Sequence, residues 1–462
     1  MYYKRIFRYL CLRLERLFPG TDYFSANVSV LKWACSTTLS YNILQFSDLN
    51  LSSPILSVLE KAGYHTPTPI QIQAIPLVLQ KKDLLACAQT GTGKTAAFSL
   101  PIIEFLTRNT AQHTPGPPLA LIVCPTRELA IQIAENIQVY TSQTKIKHCV
   151  IFGGVSQNKQ VSELRNKPEI LIATPGRLLD LAQQGFISLK RVNYLVLDEA
   201  DRMLDMGFVN DIKKIIKLLP ERRQNLLFSA TIPDSIRGLA NTILNNPEEV
   251  AVTPVSSTVE TITQAIFPVE KPAKVSLLEE IVRKEKVKNI LVFSRTKHGA
   301  DKIVRSLRKA GVPSEAIHGN KSQPARQNAL KGFKAGRIKV LVATDIAARG
   351  IDIDALELVI NFDLPNEPET YVHRIGRTGR AGATGRAWSF CSPDEIPYLW
   401  DIQKLIGLSI PIVDNHPYVL RDLSIFDKKT AAKPENKKSA IAKSTSRKKP
   451  NQRQRRNFKQ TI

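Results

Sequence analysis

Cysteine, methionine and histidine are all scarce in this chain, with 6, 3 and 7 residues among 462. The cysteines stand at 11, 35, 87, 124, 149 and 391, with no Cys-x-x-Cys pair. That excludes a disulfide scaffold and leaves neither a zinc site nor a redox motif, so a reducing, cytoplasmic setting is expected. The histidines do not cluster, which argues against a histidine-based metal centre. No apolar run reaches about 18 residues, so no membrane span is expected. Acidic residues are also short: 41 Asp and Glu face 65 Lys and Arg, a net charge of +24. A surplus of that size favours a polyanionic partner, either nucleic acid or an anionic membrane. Apolar residues are not scarce; at 43% they suffice for real cores and exclude a wholly disordered chain.

The chain divides by composition. Residues 1–45 stand apart as an extension, in which Phe7, Leu10, Leu14, Leu17 and Phe18 recur at helical spacing among Arg5, Arg8, Arg13 and Arg16. This reads either as an interfacial or targeting helix or as an extension with no separate role. From 46 to 253, short apolar runs at 84–88, 120–125, 149–154, 170–175, 194–200 and 225–231 alternate with helical patterns. Near-continuous apolar runs of strand length indicate a parallel sheet covered on both faces, an α/β doubly wound domain. Residues 254–260 lack periodicity and read as a linker. The rhythm restarts from 261 to 410, with runs at 289–295, 316–319, 339–345, 357–363 and 385–391, so a second domain of the same architecture is expected. Residues 411–462 are expected to form a basic, mostly disordered tail; from Lys428 onward it holds thirteen Lys and Arg against the single acid Glu435.

Two motifs carry chemistry. Ala88, Gln89, Thr90, Gly91, Thr92, Gly93, Lys94 and Thr95 follow an expected strand and open an expected helix. In that setting the glycines turn backbone N–H groups toward phosphates, Lys94 supplies a charge, and the Thr95 hydroxyl can ligate Mg²⁺. The usual phosphate-loop pattern opens with Gly where this chain has Ala88. A second element, Asp198, Glu199, Ala200 and Asp201, ends a buried strand. Asp198 can hold Mg²⁺ through water beside such a loop, and Glu199 can orient and deprotonate an attacking water.

Asp198-Glu199-Ala200-Asp201 resembles the signature of the DEAD-box ATP-dependent RNA helicases, and the resemblance runs in order from Phe46 to Ile410. It implies two tandem RecA-like domains and the cofactors ATP and Mg²⁺. Phe46, Tyr64 and Gln71 resemble the adenine-reading element, in which an amide can donate to and accept from the adenine edge. Thr126, Arg127, Gly154, Thr174, Pro175, Gly176 and Arg177 fall in motifs similar to those that hold the RNA backbone. Ser229 and Thr231 resemble the element that hydrogen-bonds Asp201 and couples hydrolysis to strand separation. In the second half, Arg295 and Thr344 match RNA-contacting motifs, Asp352 matches the ribose position, and Arg377 and Arg380 match the arginine fingers. The segments 295–300 and 316–323, together with the basic tail, are similar to the bacterial RhlE-like subgroup.

The resemblance implies an RNA helicase whose catalytic residues are Lys94, Glu199, Arg377 and Arg380. Its partner would be structured or duplex RNA held without regard to sequence, with ribosome-assembly or RNA-decay complexes as candidate assemblies. The rival readings are a DNA translocase on the same fold and an ATP-gated RNA clamp without productive unwinding. The carboxylate motif and the backbone-directed motifs weigh against the first; the intact Lys94, Glu199, Arg377 and Arg380 weigh against the second.

Overall fold

The computed structural model describes residues 45–89, 91–108, 116–252, 262–348, 353, 356–379 and 385–426. The head, the linker at 254–260 and the basic run from Lys428 lie outside these residues, as do Thr90, Asp352 and Arg380. The first half runs α1 (Ser53–Lys61), α2 (Pro69–Leu79), β1 (Leu84–Cys87), α3 (Lys94–Arg108), β2 (Ala120–Val123), α4 (Arg127–Tyr140), β3 (His148–Ile151) and α5 (Gln157–Leu164). It continues through β4 (Ile170–Ala173), α6 (Pro175–Gln183), β5 (Tyr194–Leu197), α7 (Ala200–Asp205), α8 (Val209–Lys217), β6 (Gln224–Ser229), α9 (Asp234–Ile243) and β7 (Glu248–Ala251). The second half runs β8 (Ile262–Pro268), α10 (Lys274–Lys284), β9 (Ile290–Phe293), α11 (Lys297–Lys309), β10 (Ser314–Ile317), α12 (Gln323–Lys334) and β11 (Val340–Ala343). It ends with α13 (Asp345–Ala348), β12 (Leu358–Asn361), α14 (Pro368–Ile375), β13 (Gly385–Cys391) and α15 (Ile396–Ile406).

Two all-parallel sheets result. One has seven strands in the order β3-β4-β2-β5-β6-β1-β7, the other six in the order β10-β11-β9-β12-β13-β8. Central strands such as β2, β4, β9, β11 and β12 are buried at every position, as a sheet with helices on both faces requires. In a doubly wound sheet, ligands gather beyond the carboxyl ends of the strands. The motif residues sit there because they start the helices that follow. Thr126 caps α4 by accepting from Leu129 N at 3.3 Å, and Thr296 caps α11 by accepting from Gly299 N at 3.0 Å. These helix N-termini favour anions.

Three features depart from the sequence reading. β7 and β8 are edge strands; β7, with a single buried residue, carries too little apolar periodicity to be read as one. β10 begins at Ser314, ahead of its apolar residues. The second domain also extends past 410. Ile266 N donates to Pro411 O and Val413 N to Ile266 O, each at 2.8 Å, and Leu420 and Phe426 are buried in its core. Residues 411–426 escape a reading by pattern because irregular backbone held by scattered apolar side chains shows no period. No helix among the described residues is long and apolar enough to cross a membrane.

Candidate nucleotide site and RNA cleft

The loop after β1 is tightly constrained. Gly93 lies at φ +91°, and a Cβ there would come within 2.4 Å of Gln71 Nε2. Gln71 Nε2 donates to Gly93 O at 3.1 Å, while Gln71 Oε1 accepts from Thr68 N at 2.9 Å. The amide expected to read adenine is thus 2% exposed and clamps the start of α2 to the phosphate loop. One N–H and one lone pair are left for a base. Phe46 is packed in the first domain's core, and the ring of Tyr64 meets Tyr140 edge-on at 6.0 Å.

Lys94 Nζ is the informative atom. It is buried, makes no hydrogen bond, and lies 4.0 Å from Asp198 Oδ1. A buried ammonium with no hydrogen-bond acceptor is costly unless an anion is due there, so the site fits a phosphate. Burial pushes Asp198 up to about 6 against the pull of Lys94. Glu199 caps α7 in the left-handed region at φ +55°, a conformation that costs a non-glycine residue about 1–3 kcal/mol and clusters at functional sites. Burial opposes its ionisation, but Arg202, Lys94 and Arg377 outweigh burial and hold its carboxyl below the usual range. Arg202 Nη1 donates to Glu199 Oε2 at 2.7 Å.

Asp201 faces the end of β6. Its Oδ2 accepts from Ala230 N at 3.0 Å, Thr231 N at 3.1 Å and Thr231 Oγ1 at 3.3 Å, and Ser229 Oγ accepts from Asp201 N at 3.3 Å. The structure therefore brings Asp201, Ser229 and Thr231 into one cluster.

The two domains meet across a cleft holding a cavity of about 490 Å³. Thr126, Arg127, Thr174, Gly176 and Arg177 line it from the first domain, Gly319, Arg326, Ile346 and Ala347 from the second. Gly154, at φ +76°, lies against Arg127, whose guanidinium would be 2.2 Å from a Cβ at that position. Pro175 is buried at the first position of α6. Arg177 donates to Gln160 Oε1 and Val155 O, which ties α6 to the Gly153–Gly154 loop. Arg295 and Thr344 also have partners within the second domain. Arg295 donates to Leu364 O at 2.8 Å, pairs with Glu395 at 3.2 Å and stacks on Tyr398. Thr344 receives no place on the cavity wall; its carbonyl caps α13 by accepting from Ala347 N and Ala348 N.

Sequence reading missed an interdomain clasp. Glu128 Oε1 accepts from Gln323 Nε2 at 2.8 Å, and Arg326 Nη2 lies 3.0 Å from Glu128 Oε2. The available signal was the i, i+3 spacing of Gln323 and Arg326 on one face of α12. It also passed over Arg374, which is 2% exposed and grips Asp345 through Nε at 2.6 Å and Nη2 at 2.7 Å.

Known proteins share these motifs and this architecture. The DEAD/DEAH box helicase family matches residues 68–239, and the helicase conserved C-terminal domain matches 273–382. A DEAD-box ATP-dependent RNA helicase, CshA, of Geobacillus kaustophilus is 44% identical over 360 residues, 78% of this chain and 76% of the relative. This chain belongs to the DEAD-box ATP-dependent RNA helicase family. The ATP-dependent RNA helicase DbpA of Bacillus subtilis is 42% identical over 395 residues, covering 85% of this chain and 81% of that one. Among solved structures, S. cerevisiae Dbp5 bound to RNA and ADP BeF3 superposes with a TM-score of 0.72 at 33% identity, covering 80% of this chain and 95% of that one. Mss116p bound to ssRNA and AMP-PNP superposes at 0.73 with 29% identity, over 81% of each chain. The DEAD-box helicase thus has two RecA-like domains arranged as in relatives caught with RNA and nucleotide.

Proposed function

We propose that this helicase hydrolyses ATP in a site completed only when its two domains close, and that closure bends a sequence-tolerant stretch of RNA held across the cleft. One observation carries the reading: Arg377 of the second domain lines a small cavity together with Arg202 of the first, and Arg202 donates to Glu199. The residues of the phosphate loop cradle the triphosphate, with Lys94 Nζ against the β- and γ-phosphates. The Thr95 hydroxyl and Asp198 are a hard-oxygen donor pair that suits Mg²⁺, and the orphaned Lys94 ammonium marks where its phosphate partners lie. That ion supplies charge neutralisation on the phosphate oxygens. Glu199 orients the attacking water and takes its proton. Arg377, joined by Arg380 of the same motif, stabilises the charge that develops on the γ-phosphoryl oxygens. Asp201 transmits the state of this site to β6 through Ser229 and Thr231.

Asp352 is assigned to the ribose on its motif alone. Within the family, the segments 295–300 and 316–323 support the RhlE-like subgroup, whereas the relatives named above are CshA and DbpA. RNA-bound Dbp5 and Mss116p support RNA as the ligand of the cleft. The test is phosphate release with and without RNA, in the wild type and in Glu199→Gln. The wild type should be stimulated by RNA; the variant should bind ATP and RNA, lose turnover, and form a long-lived RNA complex in ATP. Undiminished turnover in the variant would remove Glu199 from the chemistry. A wild type indifferent to RNA would remove the coupling.

A further inference from the structure

The positive charge of the second domain is concentrated. Between residues 295 and 339 there are twelve Lys and Arg but only Asp301 and Glu315 as acids. This segment builds α11, β10 and α12, at the edge of the sheet where β10 has no outer neighbour. Between α11 and β10 lies a cavity of about 420 Å³, lined among others by His298, Asp301, Arg305, Arg308, Glu315 and Lys321. Both acids are already engaged. Asp301 Oδ1 lies 3.1 Å from His318 Nε2 and 3.0 Å from Lys321 Nζ, and Glu315 pairs with Arg308. Arg305 donates only its Nε, to Asp301 O at 3.4 Å, and has no ion pair among the described residues. His298, Asp301, Arg305 and Arg308 lie on one stripe of α11, the i, i+3, i+4 repeat of a helix face.

The groove adjoins the cleft at one loop. Gly319 lines the cleft cavity and Lys321 lines the groove, so the loop 318–322 is their shared rim. Lys297 Nζ braces that rim by donating to Asn320 Oδ1 at 3.1 Å. We propose that the groove between α11 and β10 is a second RNA-backbone site, which holds the arm of an RNA strand where it leaves the cleft over the 318–322 rim. This inference rests on the helicase reading. The groove presents cations and N–H donors, so it takes phosphate and carries no base code. A site of this kind would lengthen the footprint on RNA without adding to the catalytic apparatus. Contiguity with the cleft favours RNA over an acidic protein segment.

The experiment compares the full chain with Arg305→Gln/Lys321→Gln on two RNAs: one just long enough to span the cleft, and the same strand extended at each end. Removing two cations from the phosphate path should reduce the salt slope on extended RNA by about 1.4, so that from 50 to 200 mM salt the wild type loses about sevenfold more affinity than the variant. The cleft-length strand should show no difference in slope or in stimulated turnover. Arg305→Lys should keep the wild-type slope, because charge alone is required. An equal loss on both RNAs would overturn the proposal by placing the effect in the cleft. No loss on either would overturn it too, and loss of poly-glutamate binding instead would assign the groove to an acidic protein. Failure of the wild type to bind the cleft-length strand would count against the helicase reading rather than against the groove.

Discussion

Replacing Glu128 by Gln should loosen domain closure without harming either domain. Glu128 and Arg326 are 6% and 9% exposed, joined at 3.0 Å, and Gln323 adds a bond of 2.8 Å to the same carboxylate. A hydrogen bond to a charged group is worth about 1.5–3 kcal/mol net. If the domains separate, all three side chains regain water, so the loss falls on the closed state alone. That corresponds to about 10- to 150-fold in the closure equilibrium. Glutamine still offers Gln323 an acceptor, which places the variant toward the lower end. A second effect acts in the opposite direction: removing a negative charge from the cleft strengthens RNA binding in every state. Absolute affinity therefore misleads. The assay is the ratio of RNA affinities measured with a non-hydrolysable ATP analogue and with ADP, which cancels the direct charge effect. The ratio should fall by about tenfold or more in Glu128→Gln and in Arg326→Gln, and the double variant should lose little beyond either single one. An unchanged ratio, or fully additive losses, would refute the clasp.

Two further outcomes follow from the nucleotide site. Asp198, raised from 3.8 to about 6 by burial, favours its protonated form in the folded chain; its contribution to stability falls as pH rises through that window, while Mg²⁺-dependent ATP affinity should drop toward about tenfold per pH unit below it, and a flat profile from pH 5 to 7 in nucleotide titrations would contradict the assignment. Arg377→Ala should cut RNA-stimulated turnover of the full chain by about 10³-fold or more while ATP affinity stays within a few-fold, and equal losses in both would make Arg377 a binding residue only.

Much of this arrangement was legible in the residues, and the reason differs by element. The central strands showed as apolar runs because both faces of a parallel sheet are covered, and the loop at 88–95 showed because glycine at Gly91 and Gly93 permits φ of +85° and +91°. What failed to show had no period or no local partner. The closing segment at 411–426 is held by single bridges such as Ile266 to Ile412, invisible to any pattern of 2 or 3.6. Gln71 looked free to read a base because sequence spacing says nothing of Gly93 O, 22 positions away. Arg295 has a partner, Glu395, that is 100 residues distant. The clasp at Glu128 joins residues 195 positions apart. A residue's type and motif reveal what it can do, whereas its commitments depend on contacts that only the fold brings together.

The sequence tolerance we propose for the cleft rests on which hydrogen-bonding capacities remain once the fold is made. The hydroxyl of Thr126 already accepts from Leu129 N, which leaves its proton to donate to a ligand. Arg127, Arg177 and Arg326 can only donate. The acids of the cavity wall are neutralised locally: Glu128 by Arg326 and Gln323, Asp180 by Arg177 at 3.4 Å. What faces the strand is therefore a surface of donors. Phosphate oxygens are acceptors on every nucleotide and match it everywhere, so contacts to them carry no sequence information.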